Sequence, residues 1–258
     1  MSSKPARPAH LTPGELKKII AELEQRRGLL IAFEGPDGAG KTTQRKLFRT
    51  WLKGEGHDAV TTKWNSSELV KPLTRTRKSI RVLSPLEYCL FHAADYRHRL
   101  ETEILPALCK GKTVIADRYL FTGLARDAAR GLDFHWVLRL YGPILWPDVV
   151  FHFAVTPGTS AKRVLAGGVP SYYEAGQDVT GISDPAASYE QFMGRVIQEY
   201  AALALIFRFS TVDAEKSIYE QHRAIRRLFQ EGERRSWQEY NARAVAEYLM
   251  CRPEAHND

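Results

Sequence analysis

The run Gly35-Pro36-Asp37-Gly38-Ala39-Gly40-Lys41-Thr42 matches the pattern G-x-x-x-x-G-K-[ST] in full. Its chemistry is the holding of phosphates. Gly35, Gly38 and Gly40 let the chain turn so that successive N–H groups, with those of Ala39 and Thr43, point into one cavity. That cavity and the N-terminus of the following helix take phosphate oxygens. Lys41 reaches the β- and γ-phosphates, and the Thr42 hydroxyl is placed to ligate Mg²⁺. These residues specify a nucleoside triphosphate with Mg²⁺, with ATP the expected donor.

A second group stands at Asp117-Arg118-Tyr119, after the apolar run Thr113 to Ala116. In a parallel sheet that strand end faces the same crevice as the phosphate loop. A carboxylate there serves the Mg²⁺ shell, and an arginine beside it binds a second phosphate or neutralises the transferring group. The chain has no base-reading N-K-x-D, which argues against a GTPase. Motor and helicase cores are usually larger. A small phosphate-loop domain with a second anion site reads as a phosphotransferase.

The elements around these groups alternate. Leu29 to Phe33 is short and continuously apolar, as in a strand buried on both faces. A helix is predicted near Lys41 to Lys53 and a second strand near Asp58 to Lys63. Ser84-Pro85-Leu86-Glu87 is a capping box opening a helix towards Lys110. Thr113 to Ala116, Val149 to Val155 and Arg208 to Val212 complete five strands, with helices in the gaps. The reading is an α/β fold, a five-stranded parallel sheet with helices on both faces. Residues 1–28 read as a tail and an appended helix, 29–229 as the phosphate-loop domain and 230–258 as a helical extension.

Composition agrees. The chain has 258 residues, 44% hydrophobic and 26% charged, as in ordinary globular proteins. Lys plus Arg number 37 and Asp plus Glu 30, a net charge of +7 that suits phosphorylated partners. Cys89, Cys109 and Cys251 form no C-x-x-C pair, so reduced thiols in a cytoplasmic protein are expected. No apolar run approaches the ~20 residues that span a bilayer, and no secretory signal is read at the N-terminus.

The stretch Phe33 to Gln44 closely resembles the phosphate loop of thymidylate kinases, and Asp117-Arg118-Tyr119 resembles that family's Asp-Arg motif. Leu105 to Leu108, Pro147 to Val150 and Val212 to Ala214 agree more loosely. The resemblance covers about Leu29 to Phe229. It implies the phosphate-loop kinase fold, ATP as donor with Mg²⁺ and a nucleoside monophosphate as acceptor, with dTMP going to dTDP. It also implies a homodimer. Asp37 would contact the acceptor's sugar hydroxyl, Arg118 its phosphate, Asp117 the metal, and Arg163 the adenine.

The acceptor side departs from the family. Where an arginine-proline turn is usual, this chain has Lys63-Trp64-Asn65-Ser66-Ser67. The places of the family's base-stacking phenylalanine and its following arginine hold His92 and Tyr96, with Arg97 and Arg99 nearby. After the Asp-Arg motif the usual polar residue and tyrosine are Gly123 and Arg126. The lid, expected over about 164–187, has no arginine between Arg163 and Arg195. Its glycines suit a mobile flap, and Tyr172, Tyr173 and Glu174 could instead touch a nucleotide. Acceptor contacts are therefore expected from Asp37, Lys63, His92, Tyr96, Arg97, Arg118 and Arg126. Two alternatives stay open: a kinase for a different phosphorylated acceptor, and a nucleotide-dependent regulatory or nucleic-acid-binding module. Glutamates interleave the arginines after Tyr219, so a solvated helix face is read there and nucleic acid is not expected as a partner.

Overall fold

The computed structural model describes residues 28–142 and 144–231. The N-terminal helix and the C-terminal extension read from the sequence lie outside the described residues. Five strands form one parallel sheet: β1 (Leu30–Glu34), β2 (Ala59–Lys63), β3 (Thr113–Asp117), β4 (Val149–Ala154) and β5 (Ser210–Asp213), in the order β2-β3-β1-β4-β5. All five expected strands form, with ends shifted by one or two residues.

Alternation along β1 explains why the run is apolar throughout. Leu30 and Ala32 enter one core, while Ile31 and Phe33 enter the other. Helix α1 (Lys41–Gly54) and the last described helix, α10 (Ile218–Gln230), cover the second core with Phe48, Leu52, Ile225 and Phe229. The larger core lies beneath α3 (Pro85–Arg99), α5 (Leu120–Ala128) and α9 (Pro185–Ile206). The remaining helices are α2 (Lys71–Ser79), α4 (Leu105–Cys109), α6 (Phe134–Leu140), α7 (Pro157–Leu165) and the single turn α8 (Gln177–Thr180).

The capping box at Ser84 forms as the sequence predicts, with Ser84 and Glu87 bonding each other's backbone N–H. The helix it opens is not uniform to Lys110, however. A wider π-turn occupies Leu100–Ile104 before α4 resumes. Pro106 explains the change, because it has no N–H for the carbonyl one turn back and the helix must rewind around it.

The chain between α7 and α9 is anchored. Tyr173 and Ala175 are buried, and Tyr173 stacks on Tyr88 at 5.3 Å between centroids. The Tyr173 hydroxyl accepts from the Leu83 N–H at 2.7 Å and donates to the Leu83 carbonyl at 3.2 Å. Gly176 has φ of 71°, and a Cβ built there would stand 2.2 Å from the Phe192 ring. Gly176→Ala should therefore cost about 2–4 kcal/mol, from overpacking and left-handed strain together. A urea melt checks this; an unchanged midpoint would mean that the segment repacks freely.

Candidate active site

The phosphate loop joins β1 to α1, and its shape needs glycine. Gly35, at φ 138°, passes so close to β4 that a Cβ would meet the Phe153 carbonyl at 2.8 Å. Gly38, at φ 73°, lies equally close to the Ser160 carbonyl. The Ser160 hydroxyl donates to the Asp37 carbonyl at 2.7 Å, so α7 holds the loop from behind. The loop, Thr42, Lys63, Asp117 and Arg118 border one cleft of about 520 Å³ at the C-terminal ends of the strands.

Lys41 opens α1 with its ammonium turned back over the loop, donating to the Pro36 carbonyl. It is buried. Burial, followed by Arg118, pulls its pKa down to about 7, against the opposing pull of Asp37, Asp117 and Glu34. Beside it, the Asp37 carboxylate takes a guanidinium on each oxygen: Arg118 on Oδ1 and Arg126 on Oδ2. Burial would raise this carboxyl. Arg118, Arg126 and Lys41 outweigh burial and hold it well below the usual carboxylate range.

Arg118 sits where β3 ends, in the left-handed region at φ 68°. Its N–H donates to the Phe33 carbonyl at 3.1 Å and its Nη1 to the Gly35 carbonyl at 3.1 Å. That backbone kink turns the guanidinium across the mouth of the loop. Beneath it lies Glu34, fully buried. Its carboxylate accepts from the Tyr119 N–H and the Thr122 hydroxyl, each at 2.7 Å, and from Tyr200 at 3.0 Å. Burial still pushes its pKa up, and those hydrogen bonds and Arg118 oppose the rise. Asp117 faces Arg45 of α1, Nε to Oδ2 at 3.0 Å. Arg163 of α7 donates to the carbonyls of Gly38 at 3.2 Å and Ala214 at 2.9 Å, beside the loop.

The structure thus brings Gly35 to Thr43, Lys41, Asp37, Lys63, Asp117, Arg118, Arg126 and Arg163 to one place. It treats the three α3 positions differently. His92 is buried between the rings of Trp64 and Tyr88, at 5.2 and 4.2 Å, with Nδ1 3.7 Å from the buried Asp127. Burial, more than any neighbour, holds its pKa down. Tyr96 lies in the aromatic core, its hydroxyl at 3.3 Å from that of Tyr119 and accepting from the Leu145 N–H at 3.3 Å. Arg97 faces outward and pairs with Glu101 at 3.8 Å. Neither Tyr96 nor Arg97 borders the cleft.

Several site residues were not singled out from the sequence. Glu34 and Arg45 flank the loop, and Arg45 follows Lys41 by four residues, a spacing that puts both on one face of α1. Arg130 follows Arg126 by four in the same way. Its guanidinium is buried, donating to Asp178 and to the Tyr173 carbonyl, each at 2.8 Å, between the rings of Tyr88 and Phe192. It ties the segment after α7 to α5. Lys78 donates to the Tyr88 hydroxyl at 2.9 Å.

As an arrangement of charge, the cleft places cations at two levels. Lys41 stands at the loop, and Arg118 and Arg126 stand beside it on Asp37. Such a concentration of cations at one strand-end cleft suits polyanions. Among the described residues no helix is long and apolar enough to cross a membrane.

Comparison with known proteins agrees with this geometry. A family model described as thymidylate kinase matches residues 33–225. The chain is 36% identical over 207 residues to a probable thymidylate kinase 2 of Saccharolobus solfataricus, covering 80% of this chain and 97% of that protein. It is 32% identical over 209 residues to a probable thymidylate kinase of Thermococcus gammatolerans, covering 77% and 94%. It is 35% identical over 146 residues to a thymidylate kinase of Caldanaerobacter subterraneus, covering 53% and 69%. The matched stretch takes in Lys41, Asp117, Arg118 and Arg126, and the chain belongs to the thymidylate kinase family.

Proposed function

We propose that this protein transfers the γ-phosphate of ATP to the phosphate of a nucleoside monophosphate, with dTMP converted to dTDP. The observation that carries the reading is the convergence of Lys41, Arg118 and Arg126 around Asp37 at one strand-end cleft. The γ-phosphate leaves its bridging oxygen on ADP and bonds to an acceptor phosphate oxygen. The protein makes no covalent bond. It positions two polyanions and offsets the charge that would keep them apart.

The loop N–H groups and Lys41 hold the donor phosphates. Arg163, fixed by two carbonyls beside the loop, lies against the adenine end. Arg118 and Arg126 are held by Asp37 until the acceptor arrives. The acceptor phosphate then takes Arg118, and Asp37 turns to the sugar hydroxyl. Glu34 keeps Arg118 in place from below without facing the cleft. Thr42 and Asp117 are oxygen donors on one wall of the cleft, a set that fits Mg²⁺ shared with nucleotide phosphates. Bound there, the ion would neutralise charge on the donor phosphates.

The same proposal treats residues 29–229 as the catalytic domain, with its lid at about 164–187. The protein works in the cytoplasm as a homodimer; outward Leu86, Leu90 and Trp136 supply apolar surface for a second subunit. The test is transfer of label from γ-³²P ATP. Labelled dTDP formed only when dTMP is present supports the reading. Label released as inorganic phosphate whatever the acceptor would remove it.

A further inference from the structure

Between Arg163 and Arg195 the chain has neither lysine nor arginine, so the segment joining α7 to α9 brings no cation of its own. The cation that meets it comes from the turn after α5. Arg130 is 6% exposed, and each nitrogen of its guanidinium donates. Nε donates to Asp178 and Nη2 to the Tyr173 carbonyl, each at 2.8 Å. Nη1 donates to the Arg126 carbonyl at 3.2 Å. The guanidinium carbon stands 4.7 Å from the Tyr88 ring of α3 and 4.5 Å from the Phe192 ring of α9. One side chain joins α3, α5, α9 and the segment itself.

Stability alone is a poor reason for this arrangement. A buried ion pair adds little net stability, because taking two charges out of water offsets most of their attraction. The Asp178 side chain is buried, and its Oδ1 has no hydrogen-bond partner. An apolar side chain would fill the space between Tyr88 and Phe192 without that cost. What an arginine adds is direction, since its donors are fixed in one plane. Here two donors point into the segment and the third points to Arg126.

Arg126 carries the line on to the phosphate loop. It stands in the last turn of α5, its guanidinium 5.9 Å from the Phe192 ring, and pairs with Asp37. Phe192 therefore supports both arginines, and Gly176 of the segment passes directly over the same ring. Asp178, Arg130, Arg126 and Asp37 form a continuous path of polar contacts from the segment to the loop. Arg130 itself does not border the cleft.

We infer that Arg130 is a positioning residue for phosphate transfer. It holds residues 173–178 against the body of the protein before any nucleotide binds, and it fixes the turn that aims Arg126 at Asp37. The segment is therefore set in place in advance instead of being recruited by the substrate. The kinetic half of this inference rests on the reading proposed above; the holding of the segment does not.

The experiment uses the full chain and compares Arg130→Met, Arg130→Lys and the double variant Arg130→Met/Asp178→Leu. Hydrogen exchange without nucleotide is followed over residues 171–181. It should be at least about tenfold slower in the wild type than in Arg130→Met, with β1 and β3 unchanged. In dTMP phosphorylation Arg130→Met should lose about tenfold in kcat, with the KM for ATP within about twofold. Arg130→Lys keeps a charge for Asp178 but not the planar fork. Its kcat should fall about fivefold while its urea midpoint stays near wild type. The double variant separates positioning from support. It removes the orphaned Asp178 charge, so it should recover the urea midpoint and leave kcat low. Recovery of kcat together with the midpoint would overturn the inference, as would wild-type kcat in Arg130→Lys. Wild-type residues 171–181 that exchange as fast as an unstructured peptide would overturn it as well. Slow exchange in a wild type that phosphorylates no monophosphate would support the holding of the segment and remove the kinase reading.

Discussion

Lys41→Ala is expected to lower ATP-dependent turnover by at least about a hundredfold, the scale of losing one preorganised charge at a transferring group. The reason is its position: among the described residues it is the one buried ammonium at the loop, held over the Pro36 carbonyl. Without it the donor phosphates keep the loop N–H groups but lose the charge that follows the γ-phosphate. A pH signature accompanies this. In the ligand-free protein Lys41 has a pKa of about 7, below its ordinary 10.5. Anionic phosphates favour the ammonium form, so nucleotide binding above pH 7 takes up a proton, and affinity falls as pH rises. The folding contribution has the opposite slope. Between about 7 and 10.5 the unfolded chain holds more protons at this site than the folded one, so Lys41 makes the protein more stable as pH rises through that window. Calorimetry at pH 8 in two buffers of different ionisation enthalpy measures the uptake. Lys41→Ala should abolish it. Near-normal turnover in that variant, or equal heats in both buffers for the wild type, would count against the role given to this lysine.

Arg118→Ala is the second large effect. It should reduce kcat/KM for the acceptor about 30- to 100-fold while the KM for ATP changes little. Arg118 spans the loop mouth and shares Asp37 with Arg126. Its loss leaves Asp37 with one arginine and the acceptor phosphate without its fork. Arg118→Lys should recover only part of the loss, because an ammonium keeps the charge and not the bidentate geometry. Unchanged acceptor kinetics in Arg118→Ala would show that Arg126 alone receives the acceptor phosphate.

The donor half was legible because its chemistry depends on the backbone. Gly35 and Gly38 hold positive φ against the Phe153 and Ser160 carbonyls, and few residue types do that, so their spacing announces the loop. The sheet was legible for a similar reason: a strand buried on both faces has few ways to be written. The acceptor half was harder, because its geometry is set by residues distant in sequence. Counting along the chain from Asp117 reads His92, Tyr96 and Gly123 only as positions in sequence. It does not show that Tyr141 reaches back to fill the space at Gly123. Nor does it show that Asp37 clamps two arginines from α5 and the β3 end. The lid's glycines suit a flap, and its tyrosines a nucleotide contact; the buried Arg130 that helps anchor it is signalled only by its four-residue spacing from Arg126.

The central claim is transfer to a nucleoside monophosphate. The most direct measurement is kcat/KM for ADP formation with Mg²⁺-ATP against a panel of ribo- and deoxynucleoside monophosphates, with no-acceptor and DNA controls. The account predicts acceptor-dependent ADP release, highest with dTMP and matched one to one by dTDP. ADP release that ignores every monophosphate, or responds only to DNA, would contradict it.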